Sequence, residues 1–406
     1  MKICLITYGC KVNQAESQKW ERILHSYGYE IIDEKEKADF WIINTCAVTH
    51  KAEIQSRQII NKAKKLGIKT FVTGCYVNLT ENLDKPNIKF IPNCNKDIII
   101  NNFKKINESK NLKISRHRAI VKIQDGCNNY CSYCIVPYLR GKPKSIPPEK
   151  ILEEINLYES MGIKEIVLSG INLGLYGIDF PQNKINLNQL LKQIIEKTSM
   201  HRIRLSSIEI NHINEEFLDI INNKRICKHL HIPLQHGSNR ILKLMNRPYN
   251  TKLYLKKFEE IIKRFPEISI GTDIIIGFPS EKEYDFIETI KVIEDLSFSY
   301  LHVFPYSKRP FTEAAKMSEQ VPDKIKKERV DILNELSIRK RSDYLKRFIG
   351  KIVEVVVENK RNNLNSGTSD NYIKCFFEDS KLHKGDLARI IINNIDKNHA
   401  FGKLDN

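Results

Sequence analysis

Residues 124–142 read QDGCNNYCSYCIVPYLRGK, and the organisation of the chain follows from what this stretch needs on either side of it. Cys127, Cys131 and Cys134 are spaced C-x3-C-x2-C directly after the apolar-alternating residues 119–123, so three thiols sit on a loop leaving a strand. Three thiolates in one short loop hold three irons of a 4Fe-4S cubane and leave the fourth iron open for chemistry. A zinc knuckle or three unrelated core thiols are the alternatives. Zinc normally takes a fourth Cys or His close by, and the spacer Ile135, Val136, Pro137, Tyr138 offers neither.

Upstream, three segments share one design. ICLITYGC ends at Cys10, DFWIINTC at Cys46 and KTFVTGC at Cys75, each a short β-branched apolar run that stops at a thiol. Helical patterns over 14–26 and 52–66 separate them, and alternation of strand and helix implies an open parallel sheet. Ligands bind at the carboxyl edge of such a sheet, so Cys10, Cys46 and Cys75 are expected to meet there and to hold a second cluster. The bland reading is that each is a small apolar residue ending a buried strand. Asn13, Asn44 and Thr45 are candidate hydrogen-bond donors to cluster sulfurs, with ordinary turn roles as the alternative. IKFIPNC reads as a fourth strand ending at Cys94, expected to be a free thiol; Cys4, Cys227 and Cys375 are expected to be core or incidental. The polar stretch 101–115 reads as a linker.

Downstream the alternation continues, with strands expected over 119–124, 165–169, 202–206, 229–233, 269–276 and 300–305. Helices are expected over 148–161, 187–198, 215–222, 239–245, 251–265 and 283–296. Six such units make a partial (β/α)6 barrel whose active site belongs at the carboxyl edge, where the Cys127 loop emerges. The same edge collects Gly170 and Asn172, Ser206, Ser207 and Glu209, Gln235, His236 and Gly237, then Asp273 and Gly277. Each has a turn or core alternative, but their common location suits one small-ligand pocket, and Tyr133 either packs on that ligand or simply packs the loop. His231, His236 and His302 are candidate bases for which the sequence assigns no acidic partner. No phosphate loop, Ser-His-Asp or HExxH pattern occurs.

With 406 residues, two or three domains are expected. The absence of any apolar run of about twenty residues excludes a membrane span of that kind. The start lacks the layout of a secretory signal, and 10 Cys in such a chain point to a reducing compartment, with cytoplasm as the default. The net charge of +17 suggests a polyanionic partner, although abundant Lys, Ile and Asn also look like the imprint of an AT-rich genome. Around the cysteine loop Lys113, Arg116, Arg118, Lys122, Arg140, Lys142 and Lys144 face only Asp125 in the local sequence, which fits nucleic acid brought to the reactive iron.

The last sixty residues change texture. After the basic run Arg339, Lys340, Arg341, Lys346 and Arg347, short strands are expected over 351–357, 372–377, 386–393 and 399–404, with NNLNSGTSDN read as turn. About five strands in this length suggest a small all-β barrel of the oligonucleotide-binding sort, with phosphate contacts on its rim and on the preceding basic helix, or else a structural cap.

TYGCKVNQAES, NTCAVTHKAEIQSRQ, VTGCY, QDGCNNYCSYCIVPYLRGK, LSGINLGLYG, RLSSIE, HLHIPLQHGS, DIIIGFP and LHVFPYSKRP occur in an order that resembles the radical S-adenosylmethionine methylthiotransferases over essentially the whole chain. QDGCNNYCSYC, RLSSIE and HVFPYSKRP look most like the branch acting on N6-threonylcarbamoyladenosine at position 37 of tRNA; sister branches act on isopentenyladenosine or a ribosomal-protein aspartate. The resemblance implies residues 1–112 as the family's N-terminal domain, 113–343 as the radical barrel and 346–406 as a TRAM domain. It also implies two 4Fe-4S clusters, the S-adenosylmethionine-cleaving one on Cys127, Cys131 and Cys134 and an auxiliary one on Cys10, Cys46 and Cys75. Two S-adenosylmethionine molecules, a tRNA anticodon stem-loop and a low-potential donor such as flavodoxin or ferredoxin complete the expected partners. The expected cofactor pocket comprises Tyr133, Gly170, Asn172, Ser207, Glu209, Gln235, Asp273 and Gly277. Two departures stand out: His236 where the family usually has a small hydroxyl residue, and Ser280 and Lys282 where Gly and Thr are common. An RNA-binding protein with structural or redox-sensing clusters is the reading from another class.

Overall fold

The computed structural model describes residues 1–34, 36–79, 86–106, 117–181, 185–361 and 363–405. Its first elements are β1 (Lys2–Thr7), α1 (Lys11–Ser26), β2 (Glu30–Ile32), β3 (Phe40–Thr45), α2 (His50–Leu66), β4 (Lys69–Gly74) and β5 (Ile88–Phe90). These strands form a parallel sheet in the order β2-β1-β3-β4-β5. Because successive strand residues point to opposite faces, Cys4, Trp41 and Ile43 pack with Ile59, Ile60 and Ala63 of α2, while Ile3 and Ile42 pack with Trp20 and Leu24 of α1. Cys4 is thus a core residue, as expected. The run ending at Cys94 makes only a short strand: Pro92 carries no N–H for a ladder, and Cys94 is exposed on the 3-10 turn that follows.

The middle of the chain contains β6 (Ala119–Lys122), β7 (Gln124–Asp125), α3 (Val136–Arg140), β8 (Lys144–Ser145), α4 (Pro148–Ser160), β9 (Glu165–Ser169), α5 (Leu187–Lys197), β10 (Arg202–Leu205), α6 (Glu215–Ile221) and β11 (His229–His231). It continues with α7 (Asn239–Leu244), α8 (Thr251–Arg264), β12 (Ser269–Ile276), α9 (Glu283–Asp295), β13 (Tyr300–Pro305) and α10 (Asp323–Lys346). Parallel sheets β6-β9-β10 and β11-β12-β13 meet through bridges Ile203↔Ile226 and Ser207↔His231, giving an arc of six strands in chain order. Aliphatic residues such as Val121, Ile166, Leu205, Leu230 and Ile274 face the outer helices in one core. The alternate positions Lys122, Glu165, Arg204, His231, Asp273 and His302 face inward, so the arc encloses a polar chamber.

A partial barrel leaves two strand edges, and a helix side chain meets each. Gln18 of α1 accepts a hydrogen bond from Ile120 N on β6 at 2.8 Å, and Ser337 of α10 accepts from Leu301 N on β13 at 3.0 Å. Ala15 of α1 packs on the inward Ile120 and Val167, so α1 serves the first sheet and the arc at once.

The chain ends in β14 (Ile352–Arg361), β15 (Leu364–Ser369), β16 (Lys374–Glu378), β17 (Leu387–Asp396) and β18 (His399–Leu404), a closed barrel in the order β14-β15-β16-β18-β17. β15 occupies the stretch expected to be turn. Its Asn, Ser and Gly are turn formers by composition, but β14 and β16 take up its backbone groups on both sides, so pairing overrides propensity. The barrel docks on the amino end of the arc: Arg204 donates to Ser369 O at 2.9 Å and Asp370 O at 3.0 Å, and the Tyr372 ring stacks 4.2 Å from that of His229. The basic run at the end of α10 also makes contacts of its own, of which only that of Arg341 reaches the last barrel. Arg341 donates to Tyr372 O, Lys340 to Glu294 O and Leu296 O, and Arg347 to Pro266 O, while Arg339 pairs with Glu294 and Lys346 with Asp343. Among the described residues no helix is long and apolar enough to cross a membrane.

Candidate active site at the mouth of the strand arc

The loop after β7 turns at Gly126, held at φ +70°, where a Cβ would stand 2.2 Å from Lys142 O. Cys127 N donates to Gly141 O and Cys134 N to Cys131 O, which draws the three thiols together. The loop is anchored from outside by Ser132, whose amide and hydroxyl donate to Met245 O and Leu244 O. Burial and the adjacent Cys131 push the Cys134 thiol up to about 12. Arg247 donates to Cys131 Sγ at 3.2 Å and pairs with Glu209 at 2.8 Å, and Asn129 donates to the same Glu209. Three converging thiols with a buried guanidinium aimed at one sulfur form a donor set that fits an anionic iron-sulfur cluster.

Cys10, Cys46 and Cys75 lie at neighbouring strand ends of the first sheet. Gly9, at φ +92°, makes their approach possible: a Cβ there would lie 2.5 Å from Cys46 Sγ. Burial first, and then the neighbouring Cys75 and Cys10, raise the Cys46 thiol to about 12. Arg140, at the end of α3, lies within electrostatic reach of Cys75 and Cys10 and contacts Asn13 Oδ1 and Asp125. Each trio therefore has its own arginine. The donors expected from Asn13, Asn44 and Thr45 are committed to backbone carbonyls: Asn13 Nδ2 to Tyr8 O and Thr45 O, Asn44 Nδ2 to Asn13 O, and Thr45 Oγ1 to Thr73 O. These are the ordinary structural roles weighed against donation to sulfur, and the Cys10 thiol itself donates to Asn13 Oδ1 at 3.9 Å.

The two trios sit on facing surfaces. Ile135, next to Cys134, and Leu139 of α3 pack against Cys75 and against Ala47, the neighbour of Cys46. Beneath this contact lies a buried charge cluster in which Lys96, Lys122 and Arg140 surround Glu16 and Asp125. Burial alone would raise the Glu16 carboxyl, but the three cations outweigh it and hold the group down at about 2. The local basic excess is thereby mostly consumed, since Arg118 also pairs with Glu165 and Glu358. Lys113 and Arg116 lie outside the described residues. Lys142 and Lys144 are exposed beside the loop, as are the rings of Tyr130, Tyr138 and Phe311, which stand in a row 6.0 Å apart.

At the carboxyl ends of β9, β10 and β11, Ser169 Oγ, Asn172 Nδ2, Ser206 Oγ and Gln235 Oε1 are buried without a hydrogen-bond partner among the described residues. These orphaned polar atoms fit a small polar ligand such as S-adenosylmethionine bound at this edge. Gly170 borders them, against Gln124, whose carbonyl accepts from Asn172 N and so ties the two loops together. Ser207 shares a hydrogen bond with His231 at 2.9 Å, and Asp273 pairs with His231 at 3.2 Å and His302 at 3.3 Å.

Two residues expected in the pocket make other contacts among the described residues. Tyr133 packs into the apolar group of Ile241, Met245, Phe278 and Tyr306, because its loop needs that anchor. Gly277 N donates to Glu281, and a Cβ on Gly277 would meet Lys326 of α10, away from the chamber. His236 is fully buried against Thr289 and Glu281, so this departure touches packing. Arg247, Gln124 and Lys11 carry no local sequence signal that sets them apart from other polar residues, and Arg140 stands out only as one member of the basic run. Lys11, first in α1 and half-buried, lies within electrostatic reach of Glu165, Asp273, Arg118 and Arg204 inside the chamber.

Two family models match the chain: the radical SAM superfamily over residues 121–293 and the uncharacterised protein family UPF0004 over residues 2–90. A threonylcarbamoyladenosine tRNA methylthiotransferase MtaB of Aquifex aeolicus is 37% identical, covering 97% of this chain and 100% of the relative. The protein of that name from Bacillus subtilis is 34% identical over 95% of this chain and 92% of its own. A tRNA-2-methylthio-N(6)-dimethylallyladenosine synthase of Thermoanaerobacter pseudethanolicus is 36% identical over 95% and 89%. Among solved structures, the radical S-adenosylmethionine methyltransferase TsrM from Kitasatospora setae shares the fold with a TM-score of 0.53 at 12% identity, covering 77% of this chain and 75% of that one.

Proposed function

The chain belongs to the radical S-adenosylmethionine family of tRNA methylthiotransferases, and from that premise we propose that it methylthiolates C2 of N6-threonylcarbamoyladenosine at position 37, beside the anticodon. The observation that carries the choice of acceptor is the chamber lining of Glu165, Arg204, His231, Asp273, His302 and Lys11. An isopentenyl group is hydrocarbon and would strip water from these groups without replacing it. A threonylcarbamoyl group brings a carboxylate, a hydroxyl and a urea that can.

The adenine C2–H bond is neither acidic nor polarised, so no histidine of the chamber can open it as a base. When bound, a 4Fe-4S cluster with S-adenosylmethionine supplies hydrogen abstraction from such a carbon. Cys127, Cys131 and Cys134 would hold that cluster, and Ser169, Gly170, Asn172, Ser206, Ser207 and Gln235 would bind the cofactor's polar groups. Cys10, Cys46 and Cys75 would hold an auxiliary cluster as the sulfur source, and the apolar contact of α3 with Cys75 and Ala47 keeps the two sites adjacent. Arg247 and Arg140 offset the negative charge that each set of three thiolates carries. Tyr130, Tyr138 and Phe311 offer stacking faces for unpaired anticodon-loop bases, with Lys142 and Lys144 beside them for phosphate.

Nucleoside mass spectrometry of tRNA from a strain lacking this protein tests the acceptor. Loss of the methylthio group from threonylcarbamoyladenosine is expected; loss from isopentenyladenosine, or from neither, overturns the proposal. For the second cluster, the reconstituted chain is expected to hold about eight irons, falling to about four in Cys75→Ala; about four in both would remove the auxiliary cluster from this reading.

A further inference from the structure

Inside the chamber nearly every charge is answered. Glu165 is gripped by Arg204 through Nε at 2.7 Å and Nη2 at 3.2 Å, with Arg118 at 3.4 Å. The other end of Arg204 is taken by Ser369 O and Asp370 O. Asp273 has His231 and His302. Lys11 is the exception: among the described residues its ammonium makes no hydrogen bond or ion pair. It nevertheless stands among groups from β9, β10, β11 and β12, because Glu165, Arg204, His229 and Asp273 all interact with it electrostatically. α1 inserts along the inward face of β6 and β9 through Ala15, which aims the first residue of the helix into the arc.

A half-buried ammonium facing two arginines has too little negative charge around it. Both nearby carboxylates already have closer partners, so the arrangement is completed by an anion that comes and goes. Lys11 also follows Cys10 directly and so stands on the side of the chamber where sulfur would be delivered. If the acceptor adenine sat with C2 between the two trios, as the proposed function requires, the polar interior of the arc around this ammonium would be the space left for its N6 substituent.

We infer that Lys11 is a specificity-determining residue that binds the carboxylate of the N6 substituent of the acceptor adenosine. The inference rests on the proposed reading of the acceptor as a threonylcarbamoyl nucleoside. A carboxylate there closes an ion pair in a low-dielectric chamber, whereas an apolar substituent leaves the ammonium buried and unanswered.

The test compares two synthetic anticodon stem-loops, one carrying threonylcarbamoyladenosine and one carrying its carboxamide, by equilibrium binding to the purified full chain. The parent protein is expected to prefer the acid about tenfold or more. Lys11→Met is expected to bind both alike, within about twofold, and Lys11→Arg to keep most of the preference. Because the comparison is a ratio within each protein, a general loss of folding or affinity cancels. A Lys11→Met protein that retains the tenfold preference overturns the role of Lys11 and leaves the proposed acceptor standing. A parent protein indifferent to the carboxylate overturns the role of Lys11 as well. If that parent also binds the isopentenyladenosine stem-loop more tightly than either, the acceptor falls with it.

Discussion

Glu16 illustrates how much of this protein is decided by single buried groups. Its carboxyl, held at about 2 by Lys122, Arg140 and Lys96, is ordinary in the unfolded chain, near 4.3. A depressed folded pKa contributes stability that is complete above the unfolded value and is lost as pH falls through the folded one. Melting of the metal-free chain is therefore expected to drop between about pH 4.3 and pH 2. Glu16→Gln should melt lower at neutral pH and show a flatter profile across that window; an unchanged profile would mean that the cluster does not stabilise the fold. Ser280 is a second such residue. It stands at φ +69°, a conformation that costs a side-chain-bearing residue about 1 kcal/mol, which accounts for Gly being common there in relatives that the motif resembles. Ser280→Gly is expected to raise the melting temperature by about 2 °C, read by calorimetry.

At the scale of elements, α1 carries the greatest burden. One face packs on the first sheet through Trp20 and Leu24, its start bears Cys10 and Lys11, and Ala15 and Gln18 close the β6 edge of the arc. A small residue is required where the helix crosses Ile120 and Val167. Ala15→Phe overfills that crossing at a cost of about 1–3 kcal/mol and is expected to speed hydrogen exchange at the Ile120 amide, which Gln18 otherwise protects. Exchange confined to other strands would show that α1 does not hold this edge. α10 does the same work on the far side, with Leu333, Leu336 and Ser337 on the arc and Tyr344 and Leu345 in the core of the last barrel.

At the scale of the whole molecule, the last barrel sits at the amino end of the arc and the cysteine loop at the carboxyl end. Tyr372 plugs the lower end of the chamber by stacking on His229, while Arg202 and Arg204 cross from the arc to backbone carbonyls of the barrel. Tyr372→Ala is expected to cost about 2 kcal/mol, below the full-core figure because the ring is half-buried, and to let the last barrel melt as a separate transition. A single unshifted transition would show that the arginines alone hold the junction. With this end covered by the Tyr372 ring, the proposed function has an acceptor base enter from the mouth, where both trios stand.

The sequence by itself determined the class of fold, the strand-helix alternation, the six cysteines that end strands or fill the loop, and the reaction family. The first three are written in local periodicity and short spacings, which the backbone cannot ignore, whereas the reaction family follows from the resemblance of whole motifs. Bounds of the strands at 165–169, 269–276 and 300–305 were legible to the residue, because apolar residues recur at alternate positions such as Ile166 and Leu168, Ile274 and Ile276, and Leu301 and Val303. What only the tertiary structure decided is which charges remain free. Arg118, Lys122 and Arg140 look available beside a single Asp125, yet their partners Glu16, Glu165 and Glu358 come from far along the chain. Among the described residues, the same folding leaves Lys11 without a hydrogen bond or ion pair inside the chamber. Charge pairing acts through space over a few ångströms, and no linear spacing records which residues will share that space.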